Sequence, residues 1–169
     1  ERLAGLAARL PDDVDLLAEV AFRLIRAERR EDAITVYDRL LGLPLPPAGT
    51  HTRRNYLGSI NNACIQAYSA GDVALAARIA DHAQPYAREN PYIYHSAACA
   101  YAGVGDLRRA MTQVRLAIEH DYEHLARLEV DPDLGELRHW PEFRAAFAAW
   151  HLERDRAAAT PVTAPPARA

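Results

Sequence analysis

An all-α fold is what this sequence predicts: an α-solenoid of stacked helical hairpins with a helical cap at its C-terminal end. Three observations lead there. Apolar residues recur at intervals of three and four rather than two, and β-branched residues are scattered, so helix is favoured over strand. The chain also resembles itself at an offset of 34 residues: between "AGDVALAARIADHA" (70–83) and "VGDLRRAMTQVRLA" (104–117), Gly71-Asp72 falls on Gly105-Asp106, and Ala76, Ala80 and Ala83 fall on Ala110, Val114 and Ala117. Finally, "GLPLPPAGTH" (42–51) separates two periodic stretches with prolines that cannot continue a helix.

The elements follow in order. The chain opens at Glu1 rather than at a methionine, so it is expected to be a piece of a longer protein, and residues 1–10 are expected to end an earlier, truncated hairpin. Three hairpins occupy 13–121: 13–27 with 30–42, 53–69 with 73–88, and 91–103 with 106–120. In the first, Ala33, Tyr37 and Leu40 stand where Ala76, Ala80 and Ala83 stand in the second; the interval there is 43, and the nine extra residues are accommodated in a loop at about 43–52. Asp72 and Asp106 read as N-caps, and Asn90-Pro91 as a helix start. The first hairpin carries Glu28-Arg29 where the others carry Gly-Asp.

The small residues have a physical reason. Cys64 and Ala98 mark where the two helices of a hairpin come closest, Ala76 and Ala110 where one hairpin leans on the next. Larger side chains there would push the axes beyond the roughly 8–10 Å of packed helices. Tyr94, Tyr101, Val114 and Ile118 fill the remaining space.

This pattern resembles the tetratricopeptide repeat (TPR), a helix-turn-helix unit of 34 residues. The third unit is the nearest in kind, with Tyr94, Ala97-Ala98, Tyr101, Gly105-Asp106, Ala110, Val114 and Ala117 in the family's slots. The second offers Ile60, Ala63-Cys64 and Ala67 ahead of its turn, the first Leu17, Val20-Ala21 and Leu24. Residues 122–154 break the period. They resemble the closing segment of many bacterial TPR proteins through Asp131-Pro132-Asp133-Leu134, Leu137-Arg138 and Pro141-Glu142-Phe143. The resemblance implies that Leu125, Leu128, Leu134, Leu137, Phe143 and Phe147 face inward and cover the third hairpin, as terminal units of such arrays require. Residues 155–169, rich in Ala, Pro and Thr, are expected to form a disordered tail.

With 169 residues, 50% of them hydrophobic and 25% charged, the chain is long enough for one domain with a real core. Its apolar runs are broken well before the roughly 18 residues of a bilayer helix, and no charged-then-apolar leader opens it; a cytoplasmic protein without membrane contact is expected. A net charge of -3 and a pI near 6.2 offer little attraction to phosphate backbones, so no nucleic acid is expected as partner. The pairs Arg29-Arg30, Arg53-Arg54 and Arg108-Arg109 are expected on solvated faces. Cys64 and Cys99 are expected to be buried thiols rather than a bridge or redox pair.

No nucleophile elbow, phosphate-binding glycine loop or motif-placed Cys-His pair is visible, so neither catalysis nor a cofactor is expected. His120 and His124 are four apart and could point the same way, with Glu119, Asp121 and Glu123 nearby. No third His or Cys stands at ligand spacing, and no metal site is expected. What the resemblance implies instead is an interaction module, a scaffold or regulator whose first helices line a concave groove for a peptide, a partner protein or another domain of its own chain. Side chains one turn apart would reach the guest: Phe22, Tyr68 and Tyr92 as aromatic anchors, Arg26 facing an acid, Asn62 pairing with a peptide backbone, and Asn61 and His95 on the same surface. The family's carboxylate clamp for chaperone tails is matched only at Asn62, with Ala18, Tyr92 and Ser96 in its basic slots, so such tails are not expected guests. The rival expectations are an RNA-reading helical repeat, which needs more units and a basic groove, and a metal-dependent enzyme using His120 and His124.

Overall fold

A computed structural model describes residues 11–159. Among these all regular elements are helical and none is a strand. The helix expected at 1–10 and the tail from 160 onward lie outside the described residues. The helices are α1 (Val14–Arg26), α2 (Arg30–Gly42), α3 (His51–Ser69), α4 (Val73–Ala83), α5 (Tyr92–Gly103), α6 (Leu107–Glu119), α7 (Leu125–Val130) and α8 (Pro141–Ala159). No helix among the described residues is long and apolar enough to cross a membrane.

Consecutive helices pack in pairs, α1 on α2, α3 on α4 and α5 on α6. The first members lie alongside one another, α1 on α3 and α3 on α5, while α4 also packs on α5. Cys64, Ala76, Ala98 and Ala110 are all buried, in one apolar cluster that runs from Leu17 to Phe147. A side chain with little or no branching at these points lets neighbouring backbones approach, and the tyrosines between them fill what is left.

The three turns inside the pairs close with one hydrogen-bond pattern. Gly105 N–H donates to Ala102 C=O (2.9 Å) and Asp106 N–H to Tyr101 C=O (2.8 Å); Gly71 and Asp72 do the same to Tyr68 and Ala67, and Glu28 and Arg29 to Ile25 and Leu24. Such an ending needs its central residue in the left-handed region. Gly71 (φ 79°) and Gly105 (φ 78°) adopt it without penalty, whereas Glu28 (φ 57°) carries a Cβ there, at a cost of about 1 kcal/mol. The caps differ too. Asp72 and Asp106 accept from the backbone N–H of Leu75 and Arg109, each at 3.0 Å, while Arg29 makes no capping bond and pairs with Asp32.

The loop between α2 and α3 ends at Thr50, whose hydroxyl caps α3 by accepting from Arg53 N–H at 3.1 Å. Here one expectation is corrected. Arg53 is buried rather than solvated: its guanidinium binds both carboxylate oxygens of Glu89, donates to Pro46 C=O at 3.0 Å, and lies over the Tyr86 ring. The loop needs an internal donor for its proline-rich backbone, and Arg53 supplies it.

Beyond α6, the chain turns through α7 and two short 3-10 segments (Pro132–Leu134 and Leu137–His139) into α8. The first 3-10 segment packs on α5 and α8 on α6, with Leu125, Leu128, Leu134, Leu137, Phe143 and Phe147 buried. α8 runs to Ala159, five residues into the stretch read as tail, because "RAAA" (156–159) is strongly helix-forming and no proline intervenes before Pro161.

Candidate functional site

The seven residues expected to line one groove are divided between two sides of α3. Asn61 and Tyr68 from α3 join Tyr92 and His95 from α5 around a cavity of about 280 Å³, closed on its far side by Tyr122, His124, Arg127, Asp131 and Asp133. Phe22 and Asn62 line a separate hollow of about 310 Å³ between α1 and α3. Arg26 reaches neither; its guanidinium lies over the Phe22 ring, 5.7 Å from the centroid, at the edge of a further shallow depression.

The C-terminal cavity is built on a chain of polar contacts. Asn61 is only 6% exposed, and its carbonyl oxygen accepts from the Ser96 hydroxyl at 2.8 Å, which ties α3 to α5. Its carbonyl oxygen is thus committed to the wall between the two helices. Cys64, one turn further along α3, donates its thiol to Ala76 C=O and Ser96 C=O. Tyr68 lies across the end of α5, where Gly103 leaves the room: a Cβ there would sit 2.6 Å from Tyr68 Cε2. Burial pushes the Tyr68 phenol up to about 12, and the Asp133 carboxylate adds to this.

His95 is the hub. Its Nδ1 is 3.2 Å from the Tyr122 hydroxyl and its Nε2 2.8 Å from Asp131 Oδ2, with side chains only 14% and 16% exposed for His95 and Asp131. Asp131 is aimed by its own turn, because its other oxygen, Oδ1, accepts the Asp133 N–H at 3.0 Å. Rings complete the wall: Tyr122 meets Tyr92 edge-on at 5.7 Å and His124 edge-on at 5.7 Å, and burial raises Tyr122 to about 12. Tyr92, at the rim, donates to Glu123 and lies 3.3 Å from His124 Nε2.

Cys99 sits one turn beyond His95, 8% exposed, and burial pushes its thiol well above the usual range, with Asp131 and Asp133 acting in the same direction. Both cysteines are free and buried. Because both ring nitrogens of His95 already face Tyr122 and Asp131, the imidazole is not placed as a base for that thiol. Cys99 and Asp131 were missed from sequence as site residues. His95 and Asp131 are 36 residues apart, and only the i, i+4 spacing of His95 and Cys99 could have signalled a shared face.

The other histidine pair does not converge. His120 stacks on Tyr94, ring centroids 5.7 Å apart, whereas His124 turns to Tyr92 in the cavity. Among the described residues they join no group of three metal-ligating side chains, while His95, Cys99 and Asp131 form one, their ligand atoms all within 4.8 Å of one another.

Compared with known proteins, the chain matches no family model, no curated protein and no solved structure.

Proposed function

We propose that this chain is a non-catalytic interaction module, a TPR-type α-solenoid with a bacterial-type closing segment, that seats an extended segment of a protein partner in the cavity between α3, α5 and that segment. The partner is a separate cytoplasmic protein or another domain of the same full-length chain. The repeat reading is supported by three turns sharing one hydrogen-bond pattern at the intervals of the sequence repeat.

One observation carries the guest reading: four residues chosen from sequence as guest-facing meet at one cavity whose rim exposes Ile65 (47%) and Tyr92 (43%). Exposed apolar side chains beside Arg127, Asp133 and His124 make a mixed surface. Such a surface suits a peptide that brings one apolar side chain and a polar backbone.

Peptides selected by display on the purified chain test the reading. Ile65→Ala with Tyr92→Ala should weaken the enriched peptides at least about tenfold, since losing anchors of this kind costs more than about 1.4 kcal/mol. Enrichment of no peptide, or equal affinity for the double variant, contradicts it.

A further inference from the structure

We propose that His95 Nε2, Cys99 Sγ and Asp131 Oδ2 together bind one divalent cation of the zinc type, with a fourth position open to the cavity. This inference stands whether or not a peptide enters.

The placement comes from two elements that the fold brings together. His95 and Cys99 are one turn apart on α5 and so share a face. Asp131 comes from the turn that packs on α5, and it is held there by the Asp133 N–H on its second oxygen. The three ligand atoms lie within 4.8 Å of one another, and Nε2 and Oδ2 are already at 2.8 Å. Around a tetrahedral ion with bonds of about 2.0–2.3 Å, donors stand roughly 3.3–3.8 Å apart, so small side-chain shifts close the site.

The donor set names the ion. One imidazole, one thiolate and one carboxylate suit a borderline-soft cation that accepts four ligands, and they disfavour calcium or magnesium, which prefer oxygen alone. The surroundings suit it as well. All three residues line the cavity, which gives an entry path, yet each is largely shielded from bulk water. Tyr122 supplies the outer contact that metal-bound histidines usually have, its oxygen 3.2 Å from Nδ1.

The protons balance. To ligate an ion, Nε2 must be free of a proton, so the hydrogen bond it shares with Asp131 Oδ2 is given up. On binding, the imidazole carries its proton on Nδ1 and donates it to the Tyr122 oxygen, while the thiol proton of Cys99 leaves to solvent.

The full chain, stripped with a chelator, should take up Co²⁺ at one ion per chain and develop a thiolate-to-cobalt charge-transfer band in the near ultraviolet, which Zn²⁺ then abolishes. Cys99→Ser should remove the band, Cys64→Ser should keep it, and Asp131→Asn should weaken Zn²⁺ at least tenfold. His120→Gln, outside the cavity, should leave the affinity unchanged. The wild-type spectrum does not depend on any variant folding. Absence of one-to-one uptake, a cobalt complex without the thiolate band, or binding that survives Cys99→Ser and Asp131→Asn but falls with His120→Gln would overturn the proposal.

Discussion

The two hollows that flank α3 are similar in size but differ in how their walls are joined. On the N-terminal side, α3 meets the first pair through one good polar contact, Tyr37 hydroxyl to Gln66 at 2.8 Å, and a long one from Asn55 to Asp15 at 3.5 Å. Across the C-terminal cavity, Ser96–Asn61, His95–Tyr122 and His95–Asp131 link α3, α5 and the closing segment in series. The turns echo this contrast: the first lacks both the glycine and the capping aspartate present in the other two. A closing segment that folds back does more than cover apolar surface. It brings Tyr122, Asp131 and Asp133 to a helix whose own contribution to the cavity is Tyr92, His95, Ser96 and Cys99.

Substitutions can break this contrast, starting from the packing behind the cavity. Ala110→Leu, at a fully buried position of α6, should cost about 1–3 kcal/mol and lower the denaturant midpoint with the slope unchanged. A midpoint equal to the parent's would mean that helices here have room to spare. Next comes the hub. Asp131→Ala leaves Nε2 of a largely buried imidazole without its partner and should cost about 1–3 kcal/mol, whereas Asn62→Ala, exposed in the N-terminal hollow, should stay within about 0.5 kcal/mol. Equal effects would erase the difference between the two sides.

The turns allow a smaller and cleaner test, because the same substitution type should change sign. Gly105→Ala, where a Cβ would meet no atom within 4 Å, should cost about 1 kcal/mol through the backbone alone, and Glu28→Gly should gain up to about 1 kcal/mol. Thermal melts of the two variants decide it. The finest signature is alkaline. Tyr68 and Tyr122 are raised from 10.0 to about 12, so the unfolded chain ionises first. Their contribution should be complete below about pH 10 and should decline as pH rises toward 12. Tyr68→Phe with Tyr122→Phe should flatten that decline in urea titrations.

What was legible in the sequence is what repeats or lies close by. Ala76, Ala98 and Ala110 declared themselves by interval, Asp72 and Asp106 by position before an apolar helix, and Leu134 or Phe147 by apolar spacing in the closing segment. Contacts set by tertiary return were not legible. Nothing near Arg53 announces Glu89, nothing near His95 announces Asp131, and Asn61 looks as free as Asn62 until Ser96 is placed beside it. Glu28 could be placed only by its slot, the one that holds Gly71 and Gly105 in the other turns, since a glutamate by itself gives no sign of a left-handed backbone.

On the proposed reading the guest enters the cavity between α3, α5 and the closing segment, and not the hollow beside α1. Backbone amide shifts of the labelled chain, recorded while a display-selected peptide is added, test it most directly. The largest changes are predicted at 61–69, 92–99 and 122–133, with α1 undisturbed. Changes centred on Ala18, Phe22 and Asn62 instead would contradict it.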